Sequence, residues 1–415
     1  MDLALTDEQA MIRDAAADVL AERSASADVR RAIEQSAGRD DALWGELAGE
    51  LGWNALSLPE AAGGMGLGAL EQTLLMEQLG RRVACVPYFS TACLAATALA
   101  GCADTPLATG WLAKLAEGAC SATLALPFGL PAASAQCPVV AAEAAGGYAL
   151  SGTIDQVIDG ARADLLLIPA RIANEGQTIG LFAIDVATAA GLNVTPLDTL
   201  DATRPIARVV LDETRVSRDA LFASGAAATR LLDRTAWFAA LALAAEQLGG
   251  AQQCLDLTLD YTGQRVQFGR TIASFQAVKH RCAQMMVLIE SARSAVLGAA
   301  HAWDAEAGSG TPGAALRADV AAAKVAANDA YAFCAQEAIQ LHGGVGFTWE
   351  YDPHLYFKRA QASGTQFGST PQLLEWIARH AIDGGASQHD AVLTSPLPSA
   401  SIATRPSAAR TGALQ

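Results

Sequence analysis

Closely spaced cysteine pairs are absent from this sequence of 415 residues. Its eight cysteines are scattered, without a Cys-x-x-Cys motif and without the cysteine–histidine spacing of metal ligands. A disulfide-stapled secreted domain is therefore not expected, and no metal site is predicted. We expect the cysteines to be reduced, mostly buried small hydrophobes in a cytoplasmic protein.

Positive charge is also scarce, with 28 Lys and Arg against 43 Asp and Glu and a net charge of −15. Binding to nucleic acid requires a basic surface, so nucleic acid is excluded as an expected partner. The same deficit disfavours binding to an anionic membrane surface.

Membrane-directing segments are missing as well. The N-terminus is acidic and amphipathic, without the basic n-region and apolar h-region of a signal peptide. No uncharged apolar run has convincing transmembrane length. We expect a soluble, cytoplasmic protein without membrane insertion, and the 52% hydrophobic content allows a sizeable core divided into two or three domains.

Residues 1–120 predict an N-terminal helical domain. Thr6 can cap the first helix while Gln9 reaches back to it, which is the pattern of a capping box. Further helices are predicted over 40–51 and from about 69 to 79, where glycine and two arginines follow.

Residues 121–225 predict a middle β domain. Helix-length periodicity gives way to short runs separated by Gly, Pro, Asn and Asp: ATLAL, GYALSG, ADLLLIPAR, IGLFAIDV, LNVTPL and ARVVLD. This pattern is typical of an antiparallel sheet, barrel or sandwich.

Residues 226–383 predict a C-terminal helical bundle. The expected helices cover 228–263, 272–305, 314–342 and 371–383. Residues 384–415 are rich in Ser, Ala, Thr and Pro without periodicity, so this tail is predicted to be disordered, with a binding tail as the alternative.

The first candidate site is YTGQRVQFGR, residues 261–270. A helix is expected to end near Arg265, and Phe268 with the following glycine turns the chain. The guanidinium groups of Arg265 and Arg270 suit a pyrophosphate, and Phe268 could pack on an aromatic or ribose face. A solvated basic helix end, favoured by the helix dipole, accounts for the same residues equally well.

The second candidate is QLHGGVGFTWEYD, residues 340–352. Gly343 and Gly344 would let the backbone approach a ligand closely, and Gln340 supplies amide hydrogen bonds at a helix end. A simple helix stop and turn would use the same residues. His342 is expected to be a packed or capping residue rather than an acid–base group.

The third candidate is GTQFGSTPQ, residues 364–372. Thr370 is predicted to cap the last helix, with Pro371 at its first helical position. No acidic residue lies between Asp352 and Glu375.

In this order and spacing, these stretches resemble the acyl-CoA dehydrogenase family from about residue 3 to 383. The most specific segments are RVQFGR…FQAVKHR and QLHGGVGFTWEYDPHLYFKRA, supported by LTDEQ and PEAAGGMGLG near the start. The resemblance implies an α+β multidomain fold, with a helical domain, a middle β domain and a C-terminal four-helix bundle. It also implies FAD, an acyl-CoA substrate, and dimers or dimers of dimers.

The family removes an α-proton with a carboxylate while the β-hydrogen leaves as hydride to the flavin. Aligned with the family pattern, the usual glutamate base falls on Gly368, and the alternative position used by some relatives falls on Ala239. Neither residue can act as a base. Glu246 is a candidate replacement, but it lies about two turns, roughly 10 Å, beyond Ala239; Asp233 is a weaker one.

The resemblance separates residues given to a neighbouring subunit's FAD from residues serving the subunit's own FAD. Those of the first group are kept: Arg265, Gln267, Phe268, Gln276, Gln340, Gly343 and Gly344. Of the second group little remains besides Thr370 and Gln372, because segments 125–136 and 155–160 lack the family's flavin-contacting residues.

This division is similar to that of the β-like subunits of heteromeric bacterial acyl-CoA dehydrogenases. It implies a paralogous, base-bearing partner and an electron-transfer flavoprotein as acceptor, and bulky steroid-type thioesters are suggested only by analogy. Two alternatives remain: a self-sufficient homo-oligomeric dehydrogenase using Glu246, and a flavin-free interaction or scaffold protein on the same fold.

Overall fold

The structure is a computed structural model that describes residues 3–127, 137–306 and 310–382, with only the backbone described for 381 and 382. The predicted disordered tail, 384–415, and most of segment 125–136 lie outside these residues. Within the described part of the chain, helices come first, then a sheet, then helices again.

The first 120 residues contain six α-helices: α1 Asp7–Arg23, α2 Ser26–Ser36, α3 Asp41–Gly45, α4 Ala69–Arg81, α5 Thr97–Ala100 and α6 Pro106–Ala116. Two π-helical segments, Glu46–Glu50 and Phe89–Ala96, continue α3 and precede α5. The predicted capping box begins α1, because Thr6 Oγ1 accepts from Gln9 N at 3.2 Å and Gln9 Oε1 accepts from Thr6 N at 3.0 Å. That prediction is confirmed.

A single eight-stranded sheet follows, with strands β1 Ala122–Leu124, β2 Val140–Ala144, β3 Gly147–Ile158, β4 Leu165–Ile172, β5 Ile179–Asp185, β6 Leu192–Leu197, β7 Ile206–Ser217 and β8 Leu221–Ser224. Its strand order is β6-β7-β3-β2-β4-β5-β8, and β1 pairs with β4. Most pairings are antiparallel, as the β pattern predicts.

Two pairings are parallel. β1 lies beside 165–167 of β4, and β2 lies beside 171–172 of the same strand, so both share one edge of β4 in succession. Nearly all of β4 is buried, which fits the apolar run LLLIPA with which it begins; Arg171, near its end, is partly exposed. Strand spacing alone does not reveal such a pairing, because it depends on the path of the segment that joins β1 to β2.

The C-terminal part contains the helices α7 Gly225–Gln264, α8 Gln276–Ala305, α9 Ala314–His342, α10 Pro353–Ser363 and α11 Thr370–Ile382. A two-stranded hairpin, β9 Val266–Gln267 and β10 Arg270–Thr271, separates α7 from α8. Helix α10 has no counterpart in the sequence prediction. Within the described ranges, no helix combines the length and apolar character that crossing a bilayer requires.

Helices α4 and α7 approach each other closely at two glycines. A Cβ on Gly80 would lie 2.0 Å from the carbonyl oxygen of Glu246, and one on Gly249 would lie 1.8 Å from that of Glu77. Any larger side chain at either position would force the helices apart. Gly80 therefore serves helix packing, and α4 runs on to Arg81 rather than ending at Leu79.

Candidate functional site

The hairpin after α7 projects an aromatic side chain into solvent. Phe268 and Gly269 both have positive φ, 55° and 76°, and form the two-residue turn between β9 and β10. This backbone suits the glycine, but it is uncommon for phenylalanine. Phe268 is 90% exposed, and its ring lies nearly perpendicular to that of Phe275 at a centroid distance of 6.2 Å.

The polar residues of the hairpin are equally exposed. Arg265 ends α7, and its guanidinium makes no hydrogen bond or ion pair with any residue that the structure describes. Arg270 instead stacks over Phe275, 4.0 Å from its ring centroid. Gln267 bonds only to the neighbouring Val266 oxygen, and Gln276, the first residue of α8, is exposed. A free guanidinium beside an exposed ring is a surface suited to an anionic aromatic ligand.

The glycine turn lies at the same end of the bundle. Gly343 ends α9 with φ 65°, and the space that a Cβ would occupy at Gly343 or Gly344 is open. Gln340 is exposed in the preceding turn. The Tyr261 ring of α7 stacks on His342 at 4.4 Å, which holds the end of α9 next to the end of α7. The hairpin after α7 and the glycine turn after α9, far apart in sequence, therefore lie at the same place in the fold.

His342 itself is buried. Its Nδ1 lies 2.6 Å from the Ala338 oxygen, and burial lowers its pKa below the usual value. This environment agrees with the packed role expected for it.

The loop before α11 holds Gly368, the position aligned with the family base. Phe367 and Gly368 both have positive φ, 51° and 109°, and Phe367 is fully buried against the edge of Phe89. A Cβ on Gly368 would lie 2.8 Å from Leu373 Cγ. A side chain at the aligned position would therefore be strained by the backbone and would require Leu373 to move.

Thr370 and Gln372 have local partners. Thr370 is the first residue of α11 and hydrogen bonds to Asp329 Oδ1 at 3.1 Å. The capping position is occupied by Ser369, whose N and Oγ lie 3.1 and 2.9 Å from Gln372 Oε1. The cap of α11 is therefore Ser369, one residue before the predicted Thr370. The reason is that Gln372, at the third helical position, reaches back to Ser369.

Glu246, the alternative base, is buried at 2% exposure between two arginines. Arg359 Nη1 donates to its Oε1 at 2.9 Å, and Arg204 forms a close ion pair with its Oε2. Burial alone would raise the pKa of Glu246, but the two guanidinium groups outweigh it and the pKa lies below its usual value. A base needs the opposite shift, so the structure favours the ion-paired interpretation.

The other acid and the second base position fit structural roles too. Asp233 pairs with Arg317 at 2.6 Å. Ala239 is fully buried in the middle of α7.

Sequence reasoning missed the rest of the buried charge cluster. Arg359 also bonds to Asp201 Oδ2 at 2.6 Å and to Thr203 Oγ1 at 2.6 Å, so a loop of the sheet is linked to α7 and α10. The sequence does not mark Arg359 as buried, because Lys358 precedes it and Gln361 follows two residues later.

Lys324 was missed as well. It lies on α9 with no exposed surface, and its Nζ contacts Asn328 Oδ1 at 2.6 Å and Gln247 Oε1 and Ser363 O at 3.2 Å each. Burial lowers its pKa to about 7. The sequence signal was a lone lysine within the run AAAKVAA.

The middle segments that depart from the family pattern have ordinary structural partners where they are described. Asp155 pairs with Arg208 at 2.7 Å, and buried Asp159 accepts from Ser90 Oγ at 2.6 Å. All eight cysteines are free thiols, as predicted. No grouping of His, Cys, Asp and Glu suited to a metal ion occurs among the residues that the structure describes.

Comparison with known proteins agrees with this architecture. The model of the acyl-CoA dehydrogenase N-terminal domain matches residues 6–119, and that of the acyl-CoA dehydrogenase C-terminal domain matches residues 230–382. The chain is 35% identical over 369 residues to acyl-CoA dehydrogenase IpdE2 of Mycobacterium tuberculosis, covering 89% of this chain and 95% of that protein.

Two similar solved structures contain named chain pairs. The ChsE4-ChsE5 complex from Mycobacterium tuberculosis matches at 28% identity with a TM-score of 0.79, over 92% of this chain and 99% of that one. A variant of the Tcur3481-Tcur3483 steroid ACAD matches at 30% identity with a TM-score of 0.77 and the same coverage.

The three-part fold and these matches define an oxidoreductase of the acyl-CoA-oxidising class. The chain belongs to the acyl-CoA dehydrogenase family.

Proposed function

We propose that this chain is one subunit of a heteromeric acyl-CoA dehydrogenase and completes the FAD site of a base-bearing partner. The observation that carries this proposal is Gly368, which stands at the aligned base position with positive φ and with the side chain of Leu373 close to where a Cβ would lie. In this proposal the α-proton of the thioester goes to a carboxylate on another chain.

The residues assigned to the partner's cofactor fit FAD. Arg265 offers an unpaired guanidinium for the pyrophosphate, and Phe268 offers an exposed ring for the aromatic or ribose part. Gln267, Gln276 and Gln340 contribute exposed amides, while Gly343 and Gly344 leave open space for close backbone approach. When bound, FAD supplies the hydride acceptor for α,β-dehydrogenation.

The residues assigned to the chain's own cofactor fit FAD less well. Gln372 is engaged with Ser369, and Thr370 with Asp329. The contrast between the exposed Arg265 at one end of the bundle and these engaged residues supports the donation of FAD contacts to a neighbour.

The relatives support the finer details of the proposal. One solved relative is a complex of two named chains, and another is described as a steroid ACAD. We accordingly propose a bulky, steroid-type acyl-CoA as substrate, an electron-transfer flavoprotein as acceptor, and a cytoplasmic location. The three-domain division at 1–120, 121–225 and 226–383 belongs to the same proposal.

The test is purification of the chain alone and co-expressed with a candidate base-bearing partner. Flavin absorbance and turnover of a steroid-type acyl-CoA with an artificial electron acceptor are measured on both samples. We expect flavin and turnover only in the mixed complex. Turnover by the lone chain that is lost in a Glu246→Gln variant shown to be folded would favour the self-sufficient alternative, and absence of flavin from both would leave the scaffold alternative.

A variant pair tests the donated residues. Arg265→Ala in the mixed complex should lower FAD occupancy, because the pyrophosphate loses its cation. Arg230→Ala, an exposed arginine at the other end of α7, is the matched control and should leave occupancy unchanged. Equal occupancy in both variants would contradict the donation of Arg265.

A further inference from the structure

A polar cavity of about 320 Å³ lies where α1, α4 and α8 meet. Four arginines line it, Arg13, Arg81, Arg82 and Arg293, together with two carboxylates, Asp14 and Glu77. This volume is at the lower end of the range for small-molecule pockets, roughly 300–1,000 Å³. None of its lining residues belongs to the FAD-contacting set or to the base positions. We call it the arginine cavity.

Three of the four arginines are paired. Arg13 binds Asp14 at 2.7 Å, Arg81 binds Asp256 at 2.6 Å, and Arg293 binds Glu77 at 2.5 Å and Glu290 at 3.3 Å. Asp256 and Glu290 do not line the cavity, so they neutralise Arg81 and Arg293 from outside it.

Arg82 has no such partner. It is partly buried, and its guanidinium makes no hydrogen bond or ion pair with the residues that the structure describes. With Asp256 and Glu290 outside the cavity included, four carboxylates balance the four arginines, but the lining itself holds four arginines and two carboxylates. A lining of this charge attracts an anion from solution.

Gln78 is a second, independent observation. It is only 4% exposed and lines the cavity, yet its amide has no hydrogen-bond partner within the described part of the chain. The amide still reaches the space of the cavity, because it is not among the fully buried polar groups that lack a partner. A ligand in the cavity that accepts hydrogen bonds would replace the water at this amide.

We infer that the arginine cavity binds a small oxyanion of the phosphate class. Phosphate oxygens accept several hydrogen bonds at once and match the planar fork of a guanidinium. Arg82 would neutralise the ion and Gln78 would donate a hydrogen bond from its amide, while the lining carboxylates Glu77 and Asp14 are paired with Arg293 and Arg13. The shared chemistry is a phosphoryl group, either as free phosphate or pyrophosphate or as part of a nucleotide.

The test is calorimetric titration of the full chain in a buffer free of multivalent anions, at constant ionic strength set with sodium chloride. Orthophosphate, pyrophosphate and ADP are titrated separately. We expect saturable binding that Arg82→Gln weakens at least tenfold. The matched control is Arg215→Gln, an exposed arginine of β7, which should leave the dissociation constant unchanged.

Titration with the three ligands distinguishes between the two sources of the phosphoryl group, an inorganic ion and a nucleotide. Binding of the free anions without ADP assigns an inorganic ion, whereas binding of ADP with the same dependence on Arg82 assigns a nucleotide. Gln78→Met keeps the side-chain size while removing the amide, and it should also weaken binding, so the test stands if the Arg82 variant fails to fold.

Three results would overturn the proposal. The first is no saturable binding of any of the three ligands to the wild-type chain. The second is the same dissociation constant in wild type, Arg82→Gln and Gln78→Met. The third is Arg82-dependent binding of a glutamate-rich peptide when none of the phosphoryl ligands binds, which would assign the cavity to an acidic protein partner.

Discussion

At the scale of single residues, Gly368 is the position where the family's chemistry and this chain's backbone disagree most clearly. Its φ of 109° is rarely adopted by residues with a side chain, and Leu373 lies where a Cβ would go. A glutamate there would strain the backbone and require Leu373 to move.

Alanine substitutions test this interpretation. Gly368→Ala should destabilise the chain by more than about 1 kcal/mol, because the native φ is incompatible with a Cβ. Gly110→Ala, in an exposed and open site on α6, should be neutral or stabilising by about 0.4–1 kcal/mol. Urea unfolding measures both free energies, and equal effects would show that the loop at 368 adapts freely.

Glu246 gives a second residue-scale prediction. Glu246→Gln should lower the free energy of unfolding by about 3–5 kcal/mol, because Arg204 and Arg359 then share a buried site without their counter-charge. Glu290→Gln, half exposed in a helical pair, is the control and should change stability by less than about 0.5 kcal/mol.

The pH dependence of this effect has a defined sign. The folded pKa of Glu246 lies below its usual value, so its stabilisation is present above that usual value and is lost as the pH falls through the folded pKa. As the pH falls in the acid range, the free energy of unfolding of Glu246→Gln should therefore decrease less steeply than that of wild type. An unchanged slope would mean that the two arginines do not hold the carboxylate charged.

Sequence reasoning succeeded at residue positions whose role is local. The capping box at Thr6 and Gln9 follows from spacing alone, and the hairpin at Phe268 follows from a turn dipeptide. It failed where the partner lies far along the chain, as for Arg359 with Asp201, or Lys324 with Ser363. Periodicity indicates which face of a helix or strand is buried, but not which residues that face contacts.

At the scale of elements, α9 supports the loop that precedes α11. Asn328 donates to the Gly368 oxygen at 3.3 Å, Lys324 contacts the Ser363 oxygen, and Asp329 accepts from Thr370. One face of one helix therefore fixes both ends of the loop.

Lys324 makes this support dependent on pH. The folded pKa, about 7, lies below the usual 10.5, so between these values the unfolded chain binds more protons. Stability should then rise with pH across this window by up to about 1.4 kcal/mol per unit. Burial favours the neutral form of Lys324, whereas the negative charge of Glu246 favours its protonated form.

Urea unfolding at pH 7 and pH 9 checks this prediction. Lys324→Met should lack the rise that wild type shows, whereas Lys279→Met, an exposed lysine on α8, should keep it. The same rise in both variants would show that Lys324 stays protonated in the fold.

The elements themselves were largely predictable. The helices α7, α8 and α9 and most strands follow from period and turn residues, because their buried faces are long. Helix α10 was missed, since its residues were interpreted through a motif rather than through their periodicity. The parallel pairing of β1 with β4 was missed because alternation fixes the faces of a strand and not its neighbour.

At the scale of the whole molecule, buried charges join the sheet to the bundle. Asp201, in the loop between β6 and β7, is about 3% exposed and bonds to Arg359 of α10, which in turn holds Glu246 of α7. One buried ionic cluster therefore holds the sheet against the bundle, in addition to apolar packing.

Asp201→Asn tests this connection. The loss of one buried charge leaves Arg359 partly uncompensated, so the calorimetric unfolding temperature should fall, with a loss of about 3–5 kcal/mol in stability. Asp212→Asn, an exposed residue of β7, should behave like wild type. Equal unfolding temperatures in the two variants would show that apolar contacts alone hold the halves together.

The exposed hairpin also bears on how the cell makes this chain. Phe268 is exposed to water and has a backbone φ that is unfavourable for phenylalanine. A chain with such a residue is poorly suited to exist without a surface that covers the ring. In the heteromer proposed above, copies made in excess of the partner would expose the same aromatic hairpin to one another. The proposal therefore implies matched production of the two chains, and an imbalance should appear first as insoluble surplus of this one.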